Sequence, residues 1–217
     1  MSEIKNYPLV SICMPLYNAE EYIEETLTRL IEQSYSNIEI IIVDDHSQDT
    51  SMAIVKNFES QKVKVFTNKG KGACSARNYA LSQASGEFIK FHDSDDYCSE
   101  KLIEFQVKAL QKGTKTSVVF SPLKLLYTDG SFVDPVRTIY LHYENAFNLQ
   151  VEIMNGRGTN VPHCYMMPIE LVKTSGGCDE TVRKNQDGEY FSRVLANADK
   201  AFSVTDEFAI YRKTGTG

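Results

Sequence analysis

The 217-residue chain is predicted to fold as an α/β protein around a mostly parallel sheet flanked by helices. Three observations carry that expectation. Strand-like and helix-like segments alternate four times between residues 10 and 110, the pattern of a doubly wound sheet. The run Ile38-Glu39-Ile40-Ile41-Ile42-Val43 is almost entirely β-branched and does not alternate, as befits a strand buried on both faces. Two apolar runs also stop abruptly in acid, at Asp44-Asp45 and at Asp93-Ser94-Asp95-Asp96. Strands ending there would carry carboxylates to the carboxyl edge of the sheet, where α/β proteins bind ligands.

The elements follow in order. Val10-Ser11-Ile12-Cys13-Met14-Pro15 is a first strand, entered after Pro8. Asn18 or Ala19 opens a helix with Ile23, Leu27, Leu30 and Ile31 on one face. After the strand at 38–43, Ser47 or Asp49 caps a helix carrying Met52, Ile54, Val55 and Phe58. Residues 63–67 form a third strand, Gly70-Lys71-Gly72 breaks the chain, and 73–84 are helical. Ser85-Gly86 turns into the strand that begins at Phe88, and a helix over 100–110 follows with Leu102, Phe105, Val107 and Leu110 apolar. Beyond it the pattern is less regular. It gives a strand at 118–120 and a hairpin of 123–127 and 132–133 around Thr128-Asp129-Gly130. A helix over 144–154, a loop at 155–160, a strand at 163–167 and a short helix at 169–173 come next. After the break at Gly176-Gly177, a helix over 187–198 turns Tyr190, Phe191, Val194 and Leu195 inward, and 208–212 is a last strand. With no repeat, linker or low-complexity segment, residues 1–217 read as one domain with two halves, about 8–112 and about 113–217.

Composition excludes several classes. A formal net charge of -6 argues against broad nucleic-acid binding, although Lys69, Lys71 and Arg77 are a candidate local basic patch. No apolar run is long enough to span a bilayer, and the polar start Met1-Ser2-Glu3-Ile4-Lys5 gives no secretory leader. The cysteines at 13, 74, 98, 164 and 178 are scattered, with no CxxC pair. They read as reduced thiols of a cytosolic protein, two of them in the core.

The chemistry centres on Asp93, Asp95 and Asp96. Three carboxylates within four residues are costly unless a cation or donor groups compensate them. In an extended chain Asp93 and Asp95 point to one side, which suits a hard divalent ion carrying phosphates. A helix cap would account for one of these acids, not three. Asp44 and Asp45 either accept from ribose hydroxyls or a base N–H, or close an Asx turn. Tyr17, in Pro15-Leu16-Tyr17-Asn18, either stacks on a base or packs half-buried. The small-residue helix start Gly72-Ala73-Cys74-Ser75-Ala76-Arg77-Asn78 allows close approach of a ligand or another element. Its Arg77 offers a planar donor fork to phosphate or a base edge, or pairs with one of the acidic groups. Neither GxGxxG nor GxxxxGK[ST] occurs. Asp187 reads as a helix N-cap or as a carboxylate held ionised at a helix N-terminus, ready to act as a general base. Of the four histidines (46, 92, 142 and 163), all read as structural or surface residues, and His163 beside Pro162 is the one to watch.

In order along the chain, residues 10–18, Ile41-Ile42-Val43-Asp44-Asp45-His46-Ser47, residues 72–78, Gly86-Glu87-Phe88-Ile89 and Asp93-Ser94-Asp95-Asp96 together resemble the family-2 glycosyltransferases. So do Gly176-Gly177-Cys178-Asp179-Glu180 and Gln186-Asp187-Gly188-Glu189. The resemblance runs from about residue 8 to 212. It implies a GT-A-type, Rossmann-like mostly parallel sheet, a nucleotide-sugar-binding half (about 8–112) and an irregular acceptor and catalytic-base half (about 113–217). It implies inverting transfer from a nucleoside-diphosphate sugar, a UDP-sugar by preference, to an acceptor hydroxyl on a glycan or lipid-linked molecule. By that likeness Pro15, Tyr17, Asn18, Asp44, Asp45, Ser47, Arg77, Asp93 and Ser94 would contact the nucleotide sugar, with Tyr17 and Asp45 on the base. Asp95 with Asp93 matches the DxD motif and would hold Mg2+ or Mn2+, and Asp187 matches the catalytic base.

Two departures stand out. Gln186 replaces the Glu that usually precedes the late Asp, and Thr214 stands where many members have His after Tyr-Arg-x, leaving the third metal ligand open. The likeness implies a role in cell-surface polysaccharide or glycoconjugate synthesis, in the cytoplasm or at the cytoplasmic face of the membrane. It also implies peripheral membrane association through a segment after Gly217, and a homodimer is compatible with it. With no QxxRW and no membrane helix, a processive synthase is not expected. The alternatives are a catalytically inactive sugar-nucleotide-binding scaffold and, more remotely, a receiver-like signalling domain, since residues 40–47 resemble a receiver's opening strand.

Overall fold

In the computed structural model, which describes residues 7–135 and 137–214, the alternation of the first half becomes a parallel sheet. The residues on which the expectations of a missing leader and of a following segment rest, Met1 to Lys5 and Gly217, lie outside the described ones. The order is β1 (Val10–Leu16), α1 (Ile23–Ile31), β2 (Ile38–Asp44), α2 (Ser51–Lys56), β3 (Val63–Thr67), α3 (Ala73–Gln83) and β4 (Phe88–Phe91). β1 lies between β2 and β4 and is parallel to both, and β2 pairs in parallel with β3. Every residue of β2 is buried, as its non-alternating, mostly Ile and Val run requires. Glu39 fits inside that run because four groups satisfy it. Ser11 Oγ donates at 2.6 Å, the Ser85 N–H and Oγ each at 2.8 Å, and Lys64 Nζ at 2.8 Å.

Then come β5 (Tyr97–Cys98), α4 (Leu102–Leu110), β6 (Val118–Phe120), β7 (Leu123–Leu126), β8 (Phe132–Val133) and α5 (Phe147–Met154). A 3-10 turn at Pro162–Cys164 leads into β9 (Tyr165–Pro168), α6 (Ile169–Ser175), α7 (Gln186–Asn197), β10 (Ala201–Ser203) and β11 (Ala209–Arg212). The main sheet has the order β10-β6-β9-β4-β1-β2-β3, and a second sheet reads β5-β11-β7-β8. β9 runs antiparallel to both β4 and β6, so the second half finishes the sheet that the first half begins.

Several local expectations are corrected. Residues 19–22 turn before α1 starts at Ile23, and Ile31 leaves the apolar stripe, 44% exposed, at the helix's last residue. The helices expected at 100 and 144 likewise begin at Leu102 and Phe147. Neither Ser47 nor Asp49 caps α2 as its first residue: Thr50 precedes the helix, and Asp49 Oδ1 accepts from the Ser51 N–H at 2.9 Å. His163 lies in the 3-10 turn rather than in a strand, because Pro162 starts a tight turn there. All five cysteines are buried, not two. The two-residue β5 and three-residue β10 were not expected at all, since strands this short show no periodicity.

Candidate active site

The carboxyl ends of β1, β2 and β4 meet the N-terminal ends of α3 and α7 around a cavity of about 1070 Å3. β1 ends with Leu16 level with Asp44, and the His92 N–H donates to the Cys13 carbonyl at 3.0 Å, so the acidic stretch leaves the sheet beside β1. The expected alternation of Asp93 and Asp95 does not occur. β4 stops at Phe91, and residues 93–96 form a turn in which the Asp96 N–H reaches the Asp93 carbonyl at 3.4 Å. Asp and Ser are turn formers, and their bonding to local backbone wins over extension here. Asp93, Ser94 and Asp95 line the cavity all the same.

α3 brings in Arg77. Its first turn is small (Ala73, Cys74, Ser75, Ala76), so the helix packs closely and its arginine is 7% exposed. Gly72 precedes it at φ +94, a conformation that other L-residues rarely adopt, and its N–H donates to Asp45 Oδ2 at 2.8 Å. Arg77 Nη2 donates to Asp93 Oδ1 at 2.6 Å and its Nη1 to Asp187 Oδ1 at 2.9 Å. One buried guanidinium therefore joins the acidic turn after β4 to the first turn of α7, and Arg77 belongs to no surface basic patch with Lys69 and Lys71. Burial would lower its pKa, but Asp93 and Asp187 outweigh that and raise it.

Asp187 is not the N-cap of its helix. That position is Asn185, in the left-handed region at φ 53, and Asp187 sits inside the first turn, 44% exposed. Burial and the neighbouring Asp93 push its pKa up, against the pull of Arg77, so the helix end does not hold it at a low value. A raised carboxylate pKa is the direction a general base needs.

The other expected residues divide. Pro15, Tyr17, Asn18 and Asp45 line the cavity, and Tyr17 is 59% exposed. Asn18, at φ 46, accepts the Gln48 N–H on its Oδ1 at 2.8 Å, and its own N–H donates to Ser47 Oγ at 3.1 Å. Asp45 also accepts from Asn68 Nδ2 at 2.7 Å. Asp44 is buried and does not line the cavity. Its carboxylate accepts from the Ser47 N–H three residues on, so it serves the local turn, as in the alternative reading, but from a buried position and not through an Asx turn. Ser47 is likewise outside the lining.

Sequence reasoning gave no role to what lies behind the turn. Asp96 is fully buried, accepts from the Arg212 N–H at 2.8 Å, and lies 3.4 Å from His163 Nδ1. His163 Nε2 faces the Ile210 carbonyl at 3.2 Å and His92 Nδ1 the Asp93 carbonyl at 2.9 Å. Carbonyls only accept, so those nitrogens carry the protons. Lys90, fully buried, donates to Gln106 Oε1 at 3.0 Å and to the His163 carbonyl at 2.5 Å, and burial lowers its pKa to about 8. Burial and the carboxylates of Asp93 and Asp95 push the Asp96 pKa well up, and Asp95 is raised by burial and Asp93. The visible signals were the place of Asp96 in the acidic cluster and the position of His163 beside a proline.

The donor set fits a hard divalent cation. On the cavity side the candidate ligand atoms are carboxylate oxygens, of Asp95 and of Asp93, whose Oδ1 also accepts from Arg77. A second grouping, of Asp93, Asp96 and His163, brings its ligand atoms within 4.8 Å of one another, but Asp96 and His163 have no exposed surface.

The mostly parallel sheet flanked by helices, with this cleft at its carboxyl edge, has the GT-A fold of the glycosyltransferase structures that it matches. A crystal structure of S. aureus TarS in complex with UDP superposes with a TM-score of 0.76 at 25% identity, covering 93% of this chain and 60% of that one. TarS in complex with UDP-GlcNAc gives the same score and identity, covering 94% and 59%. The chain belongs to glycosyl transferase family 2, whose model matches residues 11–176. It is 38% identical over 136 residues to the Escherichia coli UDP-Glc:alpha-D-GlcNAc-diphosphoundecaprenol beta-1,3-glucosyltransferase WfgD, covering 61% of this chain and 53% of that protein. It is 37% identical over 127 residues to glycosyltransferase GlyG of Streptococcus pneumoniae, covering 57% and 42%. The matches thus span about half the length of these curated relatives. Family membership removes the receiver-like alternative.

Proposed function

We propose that the chain transfers a sugar, with inversion, from a UDP-sugar to an acceptor hydroxyl, in a divalent-metal-dependent reaction of surface polysaccharide or glycoconjugate assembly. The observation that carries this reading is the Arg77 bridge, which puts the acidic turn and Asp187 on either side of one cation across one cavity. UDP in the TarS complex supports the choice of nucleotide, and the diphosphoundecaprenol acceptor of WfgD supports a lipid-linked acceptor at a membrane face. Among the described residues no helix is long and apolar enough to cross a membrane.

Tyr17 and Asp45 hold the base and ribose end. Asp95, with Asp93, would hold Mg2+ or Mn2+, because a cation carrying a diphosphate needs carboxylates open to the cavity; His163 does not line it, and Asp96, at its edge, is fully buried. When bound, the cation neutralises charge on the leaving diphosphate. Asp187 takes the proton of the acceptor hydroxyl as that oxygen attacks the anomeric carbon from the face opposite the diphosphate. A single displacement needs one base, unlike the two-carboxylate double displacement of retaining hydrolases. Arg77 orients Asp187 through Oδ1 and leaves its other oxygen for the acceptor.

Isothermal titration of UDP, GDP and a panel of UDP-sugars, with Mn2+ and with EDTA, tests the reading on wild type and Asp95→Ala. Manganese-dependent UDP binding that disappears in the variant is expected. Absence of metal-dependent nucleotide binding in the wild type would overturn it, and binding without turnover across a broad acceptor panel would favour the inactive scaffold.

A further inference from the structure

Arg212 is the last residue of β11 and is 7% exposed, yet it does not line the cavity, whereas Tyr211 and Thr214 do. Its polar contacts run to the back of the acidic turn and to α1. Its N–H donates to Asp96 Oδ1 at 2.8 Å, its Nη1 donates to the Asp95 carbonyl at 3.0 Å, and its Nη2 pairs with Glu25 of α1. The guanidinium lies 4.8 Å from the centre of the Tyr97 ring and 5.2 Å from that of Tyr22. Thr26 Oγ1 adds a bond to the Asp96 carbonyl at 2.9 Å.

The turn has a physical need for this. Three carboxylates in four residues repel one another and would spread the loop that presents them. Arg77 compensates Asp93 from the front, and Arg212 brings the second cation from behind, to backbone as well as charge. A planar fork close to two rings reaches the Asp95 carbonyl and Glu25 together, a geometry that an ammonium does not reproduce. With the Asp95 carbonyl tied and Asp96 held by the Arg212 N–H, little freedom remains for the Asp95 carboxylate between them.

We propose that Arg212 is a positioning residue for the divalent-cation site: from the last strand it fixes the backbone that presents Asp95, so cation affinity depends on β11. The inference rests on Asp95 being a ligand, as in the function proposed above.

The test is UDP titration with Mn2+ and with EDTA, alongside thermal unfolding, on wild type, Arg212→Ala and Arg212→Lys. A core variant in a different part of the fold, Leu149→Ala, whose residue in α5 is fully buried, controls for general loosening. Removing an outer partner of a metal site commonly weakens metal binding by about 10–100-fold. The manganese-dependent gain in UDP affinity should fall by about that factor in Arg212→Ala and by less in Arg212→Lys, while affinity in EDTA holds. Leu149→Ala should lower the melting temperature and keep the gain. If both Arg212 variants keep the wild-type gain, or if Leu149→Ala loses as much, the inference fails although the proposed function stands. If the wild type shows no gain, the metal reading fails and takes the inference with it. Should Arg212→Ala not fold, Arg212→Lys against Leu149→Ala decides the matter.

Discussion

The two flanks of the seven-stranded sheet are assembled by different rules. On one side β1, β2, β3 and β4 are parallel, joined by helical crossovers, and β2 is wholly buried. On the other, β9 is antiparallel to its neighbours and β10 pairs with β6 across a long stretch of sequence. The second half also leaves apolar surface exposed, at Phe147, Val151 and Met154 along α5. The contrast teaches a division of labour. The parallel flank offers a level row of carboxyl ends, while the second half of the chain delivers single side chains to that row, Asp187 from α7 and Arg212 from β11 of the second sheet. The halves meet electrostatically at Arg77.

The strongest way to break this contrast is at Asp187. Asp187→Asn should cut the rate of transfer by about 10²–10⁴ and leave UDP binding largely intact, read by single-turnover kinetics beside titration. Near-normal transfer would mean that the second half supplies no base. Stability should divide the same way. Ile41→Ala, in fully buried β2, is expected to cost about 2–5 kcal/mol in urea unfolding, whereas Val151→Ala should stay within about 0.5 kcal/mol. Equal losses would show that α5 is covered by something.

Arg77→Met probes the joint itself. It leaves Asp93 and Asp187 facing each other without their cation. Because the Asp187 side chain is 44% exposed, the cost is discounted to on the order of 2 kcal/mol. Adding Asp187→Asn should recover part of it, and strict additivity in that double-mutant cycle would deny the coupling. The smallest effect concerns the parallel flank in acid. Burial works against Glu39, but its bonds from Lys64, Ser11 and Ser85 prevail and hold its pKa at about 2 instead of 4.5. A depressed folded-state pKa means that this stability is full above pH 4.5 and drains away as pH falls toward about 2. Unfolding curves of Glu39→Gln should be flatter than wild type across that window, with little difference in slope above it.

Much of this was legible in the residues. The parallel flank follows from β-branched runs and 3.6-residue stripes, because both signals are local. The acids after β4 and β2, the small-residue start of α3 and the late Asp187 were visible as motifs in order. What misled was local too. Asp93 and Asp95 were expected to alternate because the strand was extended past Phe91, and capping stood as one of two readings of Asp187 because Asn185 at positive φ leaves no clear mark in sequence. Asp44 and Asp45 are chemically alike as letters, but only the pairing of β2 with β1 and β3 decides that Asp44 closes a turn while Asp45 meets the cavity.

By itself, then, the sequence determined the sheet's parallel core, the carboxyl edge where its acids gather, and the family likeness, since hydrophobic period and residue chemistry are written within each segment. Tertiary structure alone decided which charges meet. Arg77 reaches an aspartate 110 residues away, and the Arg212 guanidinium reaches the Asp95 carbonyl 117 residues earlier, because burying a guanidinium requires partners and only the packed fold brings them.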